Sequence, residues 1–287
     1  MMATMQNMFK RFIVIDGPDG SGKSTQLELT KKYLTKPCTS TTRSGFSTRD
    51  NMHSIAAQVR EKGMLLDPKN MDVSKLNYAV LSFPDYKEMT GRLVQEMLNG
   101  AFGEDAKSLN PYFTSSMYAI DRYQAMDRLY KHIKRVENRD PLIDRYEFCL
   151  SARYTISNII HQGARIKNLD ELNKYIEWLN DYEFNLLGLP KPTLQIYLDT
   201  PVEVSYEAIV ERSKRTGQVI DINESKEYLT EVYNHIQFLK RFNILPSTVY
   251  IDTCNPDGSH RTIEDINDEI LFYIDKVWWN CEHTVFY

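Results

Sequence analysis

Fifteen residues near the start of the chain, Arg11 to Thr25, read RFIVIDGPDGSGKST. An apolar run, Phe12 to Ile15, meets a loop broken by glycines, and a helix-compatible run, Gln26 to Leu34, follows it. The spacing of Gly17, Gly22, Lys23 and Ser24 fits G-x-x-x-x-G-K-[ST]. In that context the glycines let successive N–H groups turn inward, the helix directs the positive end of its dipole at the same point, and Lys23 adds a charge. The loop therefore predicts a phosphate cradle at the end of a strand. Ser24 is placed to ligate Mg²⁺.

The rest of the chain supports that frame. Short apolar runs at Phe12 to Ile15, Tyr78 to Phe83, Pro141 to Ile143, Thr193 to Leu198 and Thr248 to Ile251 alternate with longer helical patterns. Such alternation is how a parallel sheet covered on both faces reads. The expected fold is α/β, a three-layer P-loop NTPase arrangement with a five-stranded parallel sheet flanked by helices. Asn110 and Pro111 are a cap and first-turn pair for a long helix to about Val136, another helix ends near Gly100, and Asp50 is placed to cap one running through Arg60. No repeat or Pro/Gly/Ser-rich linker divides residues 1–287, so a single domain is expected, with irregular sequence at 36–75 and an aromatic C-terminal stretch at 277–287.

Composition excludes other classes. A net charge of -4 argues against a protein built to coat nucleic acid, because neutralising phosphates needs surplus Lys and Arg. Cys38, Cys149, Cys254 and Cys281 show no C-x-x-C spacing, which suggests neither a zinc site nor a disulfide framework. The start MMATMQNMFKRF lacks an apolar leader core, and no apolar run is long enough to span a bilayer. A cytoplasmic protein with no membrane or nucleic-acid partner is expected.

Ligands of open α/β sheets bind at the carboxyl ends of the strands. There the sequence offers FPDY at Phe83 to Tyr86, DRY at Asp144 to Tyr146, and Thr253 and Cys254 after the fifth run. Asp144 has the chemistry for a hold on Mg²⁺ beside Ser24, and Arg145 for a second phosphate.

These segments, with YAIDRY (Tyr118 to Tyr123), LIDRYEFCLSARY, GLPKPTLQIYLD and ERSKRTGQVID, resemble the thymidylate kinase family in content and order. The resemblance implies transfer of the ATP γ-phosphoryl to a deoxynucleoside monophosphate, dTMP or dUMP, with Mg²⁺. It implies that ATP is held by Gly17, Asp19, Gly20, Ser21, Gly22, Lys23, Ser24, Thr25, Thr253 and Cys254. Asp19 would also meet the acceptor sugar, Tyr118 would stack on its base, Arg122 would read that base, and Phe83, Tyr86, Arg145 and Cys149 would complete the acceptor site. Lys23 and Arg145 would act in catalysis. One class of the family places an arginine after the loop aspartate; here Gly20 stands there. The other class uses a lid, and the matching segment, about 211–222, offers Arg212, Lys214 and Arg215, of which Arg212 and Arg215 are expected to act on the transferring group. Two further departures are Tyr86 in place of an arginine, with Lys87 or Arg92 as substitutes, and Cys149, Ala152, Arg153 and Tyr154 where relatives carry a serine and an Ala-Tyr-Gln run. Relatives are commonly homodimers, which is the expected assembly. A deoxynucleoside kinase and a DNA-associated ATPase remain as alternatives, while a GTPase switch would need an N-K-x-D motif that is absent.

Overall fold

Strand β1, Phe12–Asp16, is buried along its whole length, and its side chains divide by parity: Ile13 and Ile15 enter one core, Phe12 and Val14 another. That division is what a central strand covered on both faces requires. In the computed structural model, which describes residues 4–35, 78–102, 109–138, 145–217 and 224–283, β1 is joined by β2 (Tyr78–Ser82), β3 (Phe148–Ala152), β4 (Leu194–Asp199) and β5 (Thr248–Asp252). All pairings are parallel, in the order β2-β3-β1-β4-β5.

The helices are α1 (Lys23–Thr35), α2 (Met89–Leu98), α3 (Pro111–Glu137), α4 (Thr155–His161), α5 (Leu169–Asn180), α6 (Val202–Thr216), α7 (Lys226–Arg241) and α8 (Ile263–His283). Helix α5 runs on into a π-helical turn, Asp181–Leu186. On one face of the sheet Ile13, Leu150, Ile196 and Ile251 pack with Leu27 of α1 and Ile270 of α8. On the other, Val14 and Cys149 pack with Met126 and Ile133 of α3, and Tyr197 joins the cluster built by α4, α5 and α7. The expected capping pair is present: the Asn110 side chain accepts the Tyr112 N–H at 2.8 Å, with Pro111 in the first helical position.

One strand differs from expectation. The third strand is Phe148–Ala152, paired Phe12↔Cys149 through Ile15↔Ala152. Pro141 to Asp144 lie outside the described residues, as do 36–75 with the Asp50 helix, and 218–223. A three-residue run opening on proline is shorter than the usual strand, whereas FCLSA supplies five residues that bury on both faces. Among the described residues no helix is long and apolar enough to cross a membrane.

Candidate active site

The loop after β1 folds back on itself. Lys23, buried at the start of α1, donates from Nζ to the carbonyls of Gly17 at 2.8 Å and Pro18 at 2.6 Å and lies 3.7 Å from the Asp19 carboxylate. Burial, with the nearby Arg153 guanidinium, pulls its ammonium down to about 8. Gly20 lies at φ +83°, and a Cβ there would sit 2.3 Å from the Ser205 carbonyl oxygen of α6, so the loop passes too close to that helix for any side chain. Gly22, at φ +81°, uses its left-handed conformation to turn the chain into α1. Ser24 and Thr25 are exposed on the first turn, and Ser21 Oγ is buried with no hydrogen-bond partner among the described residues.

Beside the loop opens a cleft of ≈ 330 Å³. Asp19 lines it, with Phe83 and Tyr86 following β2, Tyr118 and Arg122 on α3, Arg153 following β3, and Arg212 on α6. Five of the residues expected to hold the acceptor, Asp19, Phe83, Tyr86, Tyr118 and Arg122, therefore face one volume. Burial would raise the Asp19 carboxyl, but Arg153 and Lys23 together more than offset it and hold the group below the usual carboxylate range. Burial raises the Tyr118 phenol, which stays neutral.

Four expectations do not fit this geometry. Arg145 precedes β3: the neighbouring Tyr146 N–H donates to the Met8 carbonyl at 2.8 Å, at the amino end of the sheet, so about 20 Å of strand separates it from the loop. Arg153 occupies the strand end instead. It sits at φ +64°, its carbonyl accepts from Ser151 Oγ at 2.8 Å, and its guanidinium contacts Asp19. Cys149 faces the core in the middle of β3, fully buried among Phe12, Val14 and Met126, and burial raises its thiol well above the ordinary range. It does not line the cleft. Arg215 is exposed with Lys214 on the last turn of α6; among the described residues of that basic segment Arg212 alone lines the cleft, paired with Glu224 at 2.5 Å. Lys87 and Arg92 are exposed outside the cleft. Thr253 is buried at the end of β5, its N–H bonded to the Asp199 carbonyl, and Cys254 is half-buried beside it.

Residues that sequence reasoning missed are Arg153, His161, Arg165, Glu224 and Tyr228, all lining the cleft. His161 shares a 3.0 Å hydrogen bond with the Tyr228 hydroxyl, and burial together with Arg153 lowers it to about 4, so it is neutral near pH 7. Arg153 Nε and Arg212 Nε are buried without hydrogen-bond partners among the described residues. Buried donors of that kind suit an anion, because a charge-assisted bond recovers their desolvation.

The chain matches the family model of thymidylate kinase over residues 68–255, more than half its length. It belongs to the thymidylate kinase family. It is 29% identical to the thymidylate kinase of Mycobacterium tuberculosis over 138 residues, 48% of this chain and 58% of that protein. It is 28% identical to the thymidylate kinase of an Exiguobacterium species over 269 residues, 91% of this chain and 92% of the relative. The solved thymidylate kinase of Candida albicans superposes with a TM-score of 0.53 at 20% identity, covering 93% of each chain, and supports the P-loop kinase fold.

Mg²⁺, which the family implies, fits the residues present. Among the described residues no group of three or more His, Cys, Asp or Glu side chains could cage a metal. Mg²⁺ paired with nucleotide is usually held by one or two side chains, waters and phosphate oxygens. The exposed Ser24 hydroxyl is such a donor.

Proposed function

We propose that this protein transfers the γ-phosphoryl of ATP to dTMP, giving dTDP and ADP. The observation that carries the reading is the single cleft shared by the loop carboxylate Asp19, the aromatic Tyr118 with Arg122, and two guanidiniums, Arg153 and Arg212, that keep buried donors unpartnered. The backbone of Gly17 to Gly22 and Lys23 would cradle the β- and γ-phosphates, and Ser24 would hold Mg²⁺, which when bound neutralises charge on the phosphate oxygens. Thr253 and Cys254 stand at the end of β5 on the ATP side. Arg153 takes the acceptor phosphate that the sequence assigned to Arg145, with Tyr86 donating a neutral hydrogen bond nearby. Tyr118 offers its ring to the base, Asp19 meets the sugar, and Arg212 neutralises the transferring group. An acceptor phosphate oxygen attacks the γ-phosphorus in line while its bond to the ADP oxygen breaks, so alignment and charge, not covalent chemistry, are the protein's contribution.

The reading extends to assembly. Met89 and Leu93 of α2 and Phe113, Ile120 and Tyr123 of α3 are exposed large apolar side chains on two helices that pack together, a face suited to a second copy of the chain. Incubation with ATP, Mg²⁺ and each common nucleoside or nucleoside monophosphate, followed by separation of products, tests the reaction. Diphosphate formed from dTMP supports it, and product formed only from a nucleoside would point to a deoxynucleoside kinase.

A further inference from the structure

Arg122 and Glu183 form a buried ion pair that the phosphate chemistry does not use. Arg122 is 1% exposed and Glu183 0%. Arg122 Nε donates to Oε2 at 2.9 Å and Nη2 to Oε1 at 2.5 Å, and the Thr155 hydroxyl adds a third bond to Oε2 at 2.6 Å. Glu183 reaches this position from the π-helical turn Asp181–Leu186, where the extra residue per turn shifts side chains off the α-helical register. Such turns are rare and gather at functional sites.

Stability does not explain the pair. Two charges taken out of water roughly break even against apolar residues of the same volume, so a buried bridge is weak evidence for a stabilising role. Its geometry says more. Glu183 occupies Nε and Nη2, the Tyr154 ring lies 5.8 Å from Cζ, and Nη1 has no hydrogen-bond partner among the described residues. Arg122 also lines the cleft, one helical turn from Tyr118. A guanidinium donates and never accepts, so a group held in this way recognises a carbonyl oxygen and rejects an exocyclic amine.

We propose that Glu183 is a positioning residue of the acceptor site: it clamps Arg122 by its Nε and Nη2 edge so that the remaining Nη donors are left for the base, which sets a preference for a pyrimidine with a carbonyl at that edge over one with an amino group. This rests on the monophosphate kinase reading above. Thr155 steadies the clamp, and the π turn is the local distortion that brings the carboxylate to the arginine.

Steady-state kinetics with dTMP, dUMP and dCMP on the wild type, Glu183→Gln and Glu183→Asp test it. The wild type is expected to favour dTMP and dUMP over dCMP. Glu183→Gln removes the charge, and its dTMP-to-dCMP ratio of kcat/KM is expected to fall by about tenfold, the loss appearing in the acceptor KM and not in the KM for ATP. Glu183→Asp keeps the buried charges balanced but withdraws the clamp by one methylene, so it decides the matter should Glu183→Gln not fold. A ratio unchanged in the folded variants, with only the unfolding temperature lowered, would show a purely architectural pair and overturn the proposal. A wild type that phosphorylates no nucleoside monophosphate would instead overturn the kinase reading, and this inference with it.

Discussion

Arg153 is a non-glycine residue in the left-handed region, a conformation that costs of order 1–3 kcal/mol and persists where surrounding structure enforces it. Ser151 fixes its carbonyl, the Ile15 carbonyl takes its N–H at 3.1 Å, and Asp19 holds its guanidinium, so the strain is matched by three anchors that aim one cation into the cleft. Arg153→Ala is expected to lower kcat/KM for dTMP by at least about a hundredfold, as loss of a site cation typically does, while Arg145→Ala stays within about twofold. The reverse ranking would restore the sequence-based assignment. Two Arg-Tyr pairs, at 145–146 and 153–154, compete in the sequence, and the first carries the adjacent aspartate that a strand-end site leads one to expect. Ala152 offers no carboxylate, so composition alone misdirects; five-residue burial on both faces, visible only in the paired sheet, decides for the second. Lys23 supports a second expectation. Its ammonium titrates near 8 because it is buried beside Arg153, so it loses its proton as pH rises through that value. The kcat/KM for ATP, which reports the free enzyme, should therefore fall above about pH 8. A profile flat from about pH 7 to 9.5 would contradict it.

The phosphate loop was legible as an element because its chemistry is local: three glycines, a lysine and two hydroxyls at fixed spacing need no tertiary partner to be read. Helix α3 was legible for the same reason, through its Asn-Pro start. The basic segment 211–222 was only half legible. A charge run does not reveal which residue faces inward, and it is the helical phase of α6 that turns Arg212 toward Glu224 and leaves Lys214 and Arg215 in solvent. Arg212→Ala is therefore expected to reduce kcat by about a hundredfold or more, and Arg215→Ala by less than about threefold, in single-turnover measurements at saturating nucleotide. Equal losses would mean that the helix end rearranges to use both cations. The π turn was invisible to pattern reading, because one added residue per turn leaves the apolar spacing of α5 nearly intact while moving Glu183 into the core.

At the scale of the whole molecule, alternating apolar runs were enough to expect a five-stranded parallel sheet, since parity of burial along a strand is set by backbone geometry. Assembly is a separate matter. Sedimentation equilibrium is expected to give about twice the 33.6 kDa chain mass, and the double variant Met89→Glu with Leu93→Glu the single mass. A wild-type monomer at micromolar concentration would set the homodimer aside. The placement of β1 at the centre of the sheet has a further consequence. Its loop stands between β3, whose end presents Arg153, and β4–β5, where Thr253 and Cys254 follow β5, and in this structure Lys23 donates to the loop carbonyls while Arg153 Nη2 contacts Asp19. Whichever nucleotide arrives first must take these groups from their internal partners, and the second then finds them released. Ligand occupancy on one side of β1 thus becomes a thermodynamic signal on the other, and by linkage each nucleotide should tighten the other by the same factor.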